Sequence, residues 1–145
     1  MIGTRIAYVL DPQMAVFRQA KLSEGEGFKA IKNEIGSDAI DTLHLDSDHS
    51  LFFDDEGLRG SITHYTMLEG HPDPLAGRLL LLADDPDEKQ PGLSMEKALA
   101  RFRCYRAVLD PVFETTSAPT KEGMVFISGV TSFRARIEEI TISIV

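Results

Sequence analysis

Two histidines and two aspartates lie within six consecutive residues of this chain. They occupy positions 44, 46, 48 and 49 of the stretch His44-Leu-Asp46-Ser-Asp48-His49. Imidazole nitrogens and carboxylate oxygens are common ligands of zinc and other metal ions, and this spacing could bring all four to one ion. A metal-dependent hydrolase that uses these four side chains is therefore one hypothesis for the function.

The metal hypothesis can take two forms, and each lacks an essential ligand. As a calcium loop, Asp46-Ser-Asp48 would need a glycine where Leu51 stands and a glutamate at the twelfth position. As a zinc site, the stretch resembles the His-x-His-x-Asp-His signature of metallo-β-lactamase-like hydrolases in three of its four ligands. Those enzymes need further histidines, and only His64 and His71 remain.

A β-hairpin is the alternative interpretation of the same stretch. In a strand, side chains alternate between the two faces, so Leu43 and Leu45 would point inward and His44 and Asp46 outward. Residues 47–50 would form the turn, because serine and aspartate side chains bond readily to nearby backbone groups. We prefer the hairpin, which predicts no resident metal and no other cofactor.

A second set of side chains could bind a small ligand such as a nucleotide. Arginine pairs with phosphate, and histidine and tyrosine can donate hydrogen bonds or stack on a base. Such a protein could act as a sponge that sequesters a nucleotide signal of host defence. The candidate ligand-binding residues are Arg59, His64, Tyr65, His71 and Arg78.

Catalytic and phosphate-binding motifs are missing from the sequence. It contains no Gly-x-Ser-x-Gly elbow, no Gly-x-x-x-x-Gly-Lys loop and no Gly-x-Gly-x-x-Gly turn. The three acids at positions 54–56 cannot all share one face, and Cys104 lies among apolar neighbours in a predicted strand. We therefore predict no catalytic residue and a protein that is not an enzyme.

The charge is strongly acidic and unevenly distributed. The chain has a formal net charge of −8; residues 1–100 carry 9 basic and 18 acidic side chains, and residues 101–145 carry 6 and 5. Direct binding to nucleic acid is disfavoured, because phosphate neutralisation needs clustered lysine and arginine. An acidic mimic of DNA that inhibits DNA-binding proteins is a further hypothesis.

Length and composition predict one cytoplasmic globular domain. A chain of 145 residues with 43% hydrophobic residues can bury its own core. It has no apolar run of the roughly 18 residues that span a bilayer and no leader-like N-terminus, and its only cysteine cannot form an intrachain disulfide. We expect a single domain over residues 1–145, with an α+β core in residues 1–100 and a β-rich extension in residues 101–145.

Hydrophobic periodicity predicts an α+β fold, a mostly antiparallel sheet of six to eight strands with two short helices. The helices are expected at about 25–35, after a capping box of Ser23 and Glu26, and at about 95–101. Residues 75–83 are expected to form one central strand buried on both faces, and residues 112–123 to be loose.

Part of the chain resembles a family of small uncharacterised domains carried by bacteriophages and plasmids. The resemblance covers residues 4–100 and rests on the acidic turn at 54–58, Asp-Asp-Glu-Gly-Leu, and on the strand approach at 74–83. It implies an accessory protein of a phage or another mobile element, and it supplies no catalytic residues.

Together these observations predict a non-enzymatic, cytoplasmic binding module. The β-rich C-terminal segment ends in Ile-Ser-Ile-Val, which would promote aggregation if its edge stayed open, so we expect it to pair either inside the sheet or across a subunit interface. We therefore expect a homo-oligomer formed through residues 101–145, with a small molecule or a host protein as a further partner and no membrane partner.

Overall fold

The computed structural model describes residues 3–60 and 62–145. Within them the chain forms two helices, α1 (Phe28–Ile35) and α2 (Met95–Leu99), and ten strands in two sheets. The strands are β1 (Thr4–Asp11), β2 (Val16–Ser23), β3 (Ile40–His44), β4 (His49–Asp54), β5 (His64–Leu68), β6 (Leu75–Ala76), β7 (Leu79–Ala83), β8 (Phe102–Thr120), β9 (Gly123–Ile140) and β10 (Ser143–Ile144).

The fold is α+β and mostly sheet, as predicted, but the strands are more numerous and form two sheets. One sheet has six strands in the order β10-β2-β1-β7-β4-β3, and the other has four in the order β6-β5-β8-β9. The prediction of six to eight strands was too low, because the short pieces β6 and β10 carry too few residues to show a period of two.

The six-stranded sheet is built on the opening hairpin. β1 pairs with β2 over all eight residues, from Thr4 opposite Ser23 to Asp11 opposite Val16. The side chain of Asp11 accepts a hydrogen bond from the backbone N–H of Met14 at 3.1 Å, which closes the turn expected from the Asp-Pro sequence. β10 adds to β2 in parallel, so the C-terminal strand has its partner within the chain.

Helix α1 covers one face of this sheet. Its buried residues Ala30, Ile31 and Ile35 pack with small and branched side chains of β1, β2 and β7. Gly36 ends the helix in the left-handed conformation at φ 81°, as glycine commonly does, and its N–H bonds the carbonyl of Lys32.

The predicted start of α1 and its capping box were wrong. Glu24–Glu26 form a separate 3-10 turn, the Ser23 side chain makes no capping hydrogen bond, and the helix begins at Phe28. Gly27 precedes it with φ 56°, a conformation that glycine adopts without strain and that breaks the helix away from the turn before it.

The apolar run at 75–83 is shared between the two sheets instead of forming one strand. Gly77 lies in the left-handed region at φ 83° and separates β6 from β7. β7 is buried along its whole length between β1 and β4, which confirms the central strand for Leu79–Ala83. β6 instead pairs with β5 in the four-stranded sheet.

The C-terminal part differs most from expectation. Ser94 caps α2 as predicted, accepting a hydrogen bond from the N–H of Lys97, but the helix ends at Leu99. The segment predicted to be loose is strand up to Thr120, within β8. Neither helix is long and apolar enough to cross a membrane within the described residues.

Contacts within the chain divide it into two compact units. The first contains the chain up to Arg106 together with Glu139–Val145, and it holds the helices and the core. The second, Ala107–Glu138, consists of the distal parts of β8 and β9 and the turn between them. We call this second unit the ribbon.

Candidate functional site

The His/Asp stretch forms a β-hairpin, and its second histidine is a buried structural group. β3 pairs with β4 from Ile40 opposite Asp54 to His44 opposite Ser50. His49 begins β4 and is only 6% exposed, although the sequence had placed it in the turn. Its burial follows from its position beside β7, where it lies opposite Ala83.

Both ring nitrogens of His49 have hydrogen-bond partners. Nδ1 lies 2.9 Å from Oδ1 of Asp46, and Nε2 accepts a hydrogen bond from the backbone N–H of Gly92 at 2.9 Å. Because Nε2 accepts, the proton of the neutral ring is on Nδ1, which donates to the carboxylate. Neither nitrogen of His49 offers a metal ion an unused lone pair.

Asp46 is held as a carboxylate by the same turn. Partial burial raises its pKa, but this is outweighed by hydrogen bonds from the backbone N–H groups of Asp48 and His49 and from the His49 ring. The net effect is a pKa below the ordinary aspartate value. Hydrogen bonds to the charged form cause this direction of shift.

The four candidate metal ligands do not converge on one point. The side chain of His44 is 82% exposed, and its Nδ1 lies 4.0 Å from Asp84 rather than beside Asp46 or Asp48. Across residues 3–60 and 62–145, no group of three or more His, Cys, Asp or Glu side chains is arranged to hold a metal ion. The hairpin interpretation accounts for the stretch.

The structure brings two of the five candidate ligand-binding residues together. His64 and Arg78 line one open cleft of about 460 Å³, with the β1–β2 turn on its other side. Arg78 is already engaged there: Nε lies 3.5 Å from the carboxylate of Asp11, and Nη1 donates to the carbonyl of Glu34 at 3.0 Å. His64 Nδ1 is 2.7 Å from the Thr63 hydroxyl.

The other three candidates lie outside the lining of this cleft. Arg59 is exposed and pairs with Glu56, and Tyr65 stacks on Tyr105 with ring centroids 5.3 Å apart. The backbone N–H of His71 bonds the carbonyl of Leu68 in a turn. The five residues therefore do not form one binding site.

Cys104 is a core residue, as its neighbours in the sequence indicated. It is 1% exposed, and its sulfur lies 3.3 Å from the Thr66 hydroxyl. Burial raises the pKa of the thiol, only partly opposed by the Thr66 hydrogen bond and reinforced by Glu139. A buried, protonated thiol is a poor nucleophile.

The ribbon carries the largest concentration of exposed apolar side chains, and this is a feature that sequence reasoning had only partly anticipated. Nine large hydrophobic residues are exposed within its 32 positions, including Phe113 at 67% and Phe126 at 70%. Soluble monomers rarely expose such a set in one place. The nine are Leu109, Phe113, Met124, Val125, Phe126, Ile127, Val130, Phe133 and Ile137.

The nine exposed side chains are divided between the two faces of the ribbon. The hydroxyls of Thr115 and Ser128 bond each other at 2.7 Å, so the two side chains share a face across the strands. Since side chains alternate along each strand, odd positions of β8 near Thr115 and even positions of β9 near Ser128 line that face. We call it the apolar face; it contains Phe113, Met124, Phe126 and Val130.

Two rhizobial proteins are similar to this chain over most of its length. One is an uncharacterised protein named y4iR from Sinorhizobium fredii, 36% identical over 136 residues, which cover 92% of the chain and 84% of that protein. The other is a protein named PsiB from Rhizobium leguminosarum bv. phaseoli, 37% identical over 127 residues, or 86% of the chain and 95% of that protein. The chain belongs to their family.

The names of these two relatives state no activity, ligand or partner. No family model matches the chain, and no solved structure matches it. The physical properties of the described residues therefore carry the functional argument.

Proposed function

We propose that the protein is a non-enzymatic, cytoplasmic binding module that acts as a homo-oligomer through the ribbon. The observation that carries the proposal is the apolar surface of the ribbon. Its three phenylalanines are 62–70% exposed. At about 150–250 Å² per ring side chain they present roughly 300–500 Å² to solvent. That alone matches the largest apolar patch of a typical monomer, about 300–600 Å².

The geometry of the ribbon supports the same proposal. An isolated two-stranded ribbon is marginally stable in water, because neither face is covered by a core. Here both faces carry exposed apolar side chains, with Phe113 and Phe126 on one and Ile127 on the other. Covering these faces with a partner would remove apolar area from water, which is the main driving force of association.

A second copy of the chain is the partner that the charges favour. The ribbon carries 3 basic and 4 acidic side chains, a net charge of −1, and the remainder of the chain carries 12 and 19, a net charge of −7. Two identical copies carry the same net charge, so the nearly neutral ribbon is the part at which they can associate with the least electrostatic repulsion. A role in a phage or another mobile element remains part of the proposal through the acidic turn at 54–58 and the strand approach at 74–83.

The test is the mass of the full chain in solution, measured by size-exclusion chromatography with light scattering over a range of concentrations. We expect a dimer or a larger oligomer. The double variant Phe113→Ser/Phe126→Ser should weaken association at least tenfold while leaving the far-UV circular dichroism unchanged, because both side chains are exposed. A wild-type chain that stays monomeric at millimolar concentration would refute the proposal.

Met14→Ser is the matched control for this experiment. Met14 is exposed to a similar extent, 69%, but lies in the β1–β2 turn, outside the ribbon. We expect it to leave the oligomer intact. Equal weakening by Met14→Ser would show that association does not depend on the ribbon.

A further inference from the structure

The outer edge of β9 has the properties of a self-pairing strand. β9 is the last strand of its sheet, with β8 on one side and no strand pairing with its other side among the described residues. β8 contains Pro111 and Pro119, which have no N–H to donate to another strand, whereas β9 contains no proline in its 18 residues. An edge of this kind is a template for another strand.

β9 begins with a long neutral segment that has a charged residue at each end, Glu122 in the turn before the strand and Arg134 within it. Residues 123–133 are eleven consecutive residues without a charged side chain, and Glu122 and Arg134 flank them. When two copies of this segment pair, no like charges oppose one another within it. The opposite signs of the flanking residues permit an attractive contact at each end.

We infer that two copies of the chain pair antiparallel along β9, with Ser128 opposite Ser128 of the second copy at the two-fold axis. This inference rests on the proposed homo-oligomer and specifies the backbone edge at which the two copies meet; the apolar area that it removes from water is that between side chains opposed across the joint. In this register Glu122 of each copy, in the turn that precedes β9, comes beside Arg134 of the other, so the pairing gains two ion pairs. Phe126 lies opposite Val130 twice, and the apolar faces of the two ribbons continue into each other on one side of the joined sheet.

The neighbouring registers are less favourable. A shift of one residue in either direction places Lys121 opposite Arg134 or Arg136 and moves the apolar face of one copy to the other side of the joined sheet. A shift of two residues in one direction places Glu122 opposite Arg136, whose Nε already bonds Asp110 at 2.6 Å and whose Nη1 bonds Glu138 at 2.9 Å. The same shift in the other direction places Glu122 opposite Ser132 and removes the ion pair. Only the register centred on Ser128 keeps the apolar faces of both copies on the same side and pairs Glu122 with an arginine, Arg134, that does not take part in the Asp110–Arg136–Glu138 contacts.

The pairing is tested by disulfide trapping in the full-length chain. Directly opposed residues of antiparallel strands have Cβ atoms about 4.5–5.5 Å apart, so Ser128→Cys should form an intermolecular disulfide under mild oxidation. The buried native Cys104 should stay reduced. Ser132→Cys is the control, because two copies of residue 132 would be about 26 Å apart, eight residues along the partner strand.

A mixture of Met124→Cys and Ser132→Cys chains extends this test, since those two positions oppose each other in the inferred register. We expect the heterodimer to form a disulfide, while neither variant does so alone. If light scattering shows an oligomer but Ser128→Cys and Ser132→Cys are trapped equally, or neither is trapped, the β9 pairing is overturned and the homo-oligomer stands. A monomer overturns both.

The flanking charges provide an independent readout. Glu122→Arg and Arg134→Glu should each weaken the dimer several-fold, because each replaces two attractive contacts with two repulsive ones. The double variant should restore the wild-type dissociation constant, measured by analytical ultracentrifugation. Single variants with no effect, or a double variant weaker than both, would contradict the register.

Discussion

His49 shows how a residue with the chemistry of a metal ligand can serve only the fold. Its ring connects the turn at Asp46 to the backbone of Gly92, 43 residues further along the chain, and it is almost fully buried. A buried imidazole that satisfies both nitrogens stabilises two segments at once, whereas removal of the ring leaves polar groups without partners. We therefore expect substitutions of His49 and Asp46 to change the free energy of unfolding.

We expect His49→Ala to lower the free energy of unfolding by about 2–4 kcal/mol, because it removes two hydrogen bonds and leaves a cavity. Urea denaturation followed by circular dichroism measures this change. His44→Ala is the control; its side chain is exposed, so the loss should stay within about 0.5 kcal/mol. Equal effects of the two substitutions would refute a structural role specific to His49.

Asp46 makes stability depend on pH in the acidic range. Its folded-state pKa is lowered, so the carboxylate contributes stability above the ordinary aspartate pKa of about 3.9, and this contribution is lost as the pH falls through the lowered value. We expect the stability difference between wild type and Asp46→Asn to shrink as the pH is lowered from about 5 to below that value. Urea midpoints measured across this range test it; a difference that is constant with pH would contradict it.

At the scale of elements, Gly77 allows one apolar run to serve two sheets. The left-handed backbone at this position ends β6 and lets the chain enter β7 in the other sheet. The mainly hydrophobic residues 75–83 look like one strand in the sequence. Hydrophobicity indicates that a segment is buried, but it does not indicate where the chain passes from one sheet to another. The glycine within the run was the available signal, since an isolated glycine in a strand pattern often marks a break.

Gly77→Ala should cost about 1–2 kcal/mol of stability, because a side chain is unfavourable in the left-handed region. No atom lies within 4 Å of the position that its Cβ would occupy, so the backbone alone would cause the loss. Gly60→Ala is the matched control: its Cβ would also meet nothing within 4 Å, and its backbone is not left-handed. Thermal denaturation of the two variants measures the difference; equal melting temperatures would show that the conformation of Gly77 does not matter.

At the scale of the whole molecule, the acidic charge opposes association while the ribbon favours it. The net charge of −8 makes two copies repel one another at low ionic strength. An interface made mainly of apolar area does not depend on salt in the same way. The response of the oligomer to salt therefore distinguishes an apolar interface from one held by charge.

We expect association to tighten or stay constant as ionic strength rises from about 0.01 M to 1 M, where the Debye length falls from about 30 Å to 3 Å. Sedimentation velocity at several salt concentrations measures it. Dissociation in high salt would identify an interface dominated by ion pairs.

Local features of this protein could be predicted from the sequence. The Asp-Pro turn after β1, the left-handed Gly36 at the end of α1, the Ser94 cap of α2 and the hairpin around Asp46 all depend on residues close together in the chain. The physical reason is that turns and caps are decided by backbone preferences and by side-chain hydrogen bonds over a few residues. The buried character of Leu79–Ala83 was equally local, since its run of leucines leaves no polar face.

The tertiary structure alone decided the rest. The contact between His49 and Gly92, the division of residues 75–83 between two sheets and the pairing of β10 with β2 join segments that are distant in sequence. The ribbon illustrates the same limit, because alternating apolar residues look identical whether a face packs on the chain's own core or stays exposed. Periodicity records which side chains share a face, and only three-dimensional packing determines what, if anything, covers it.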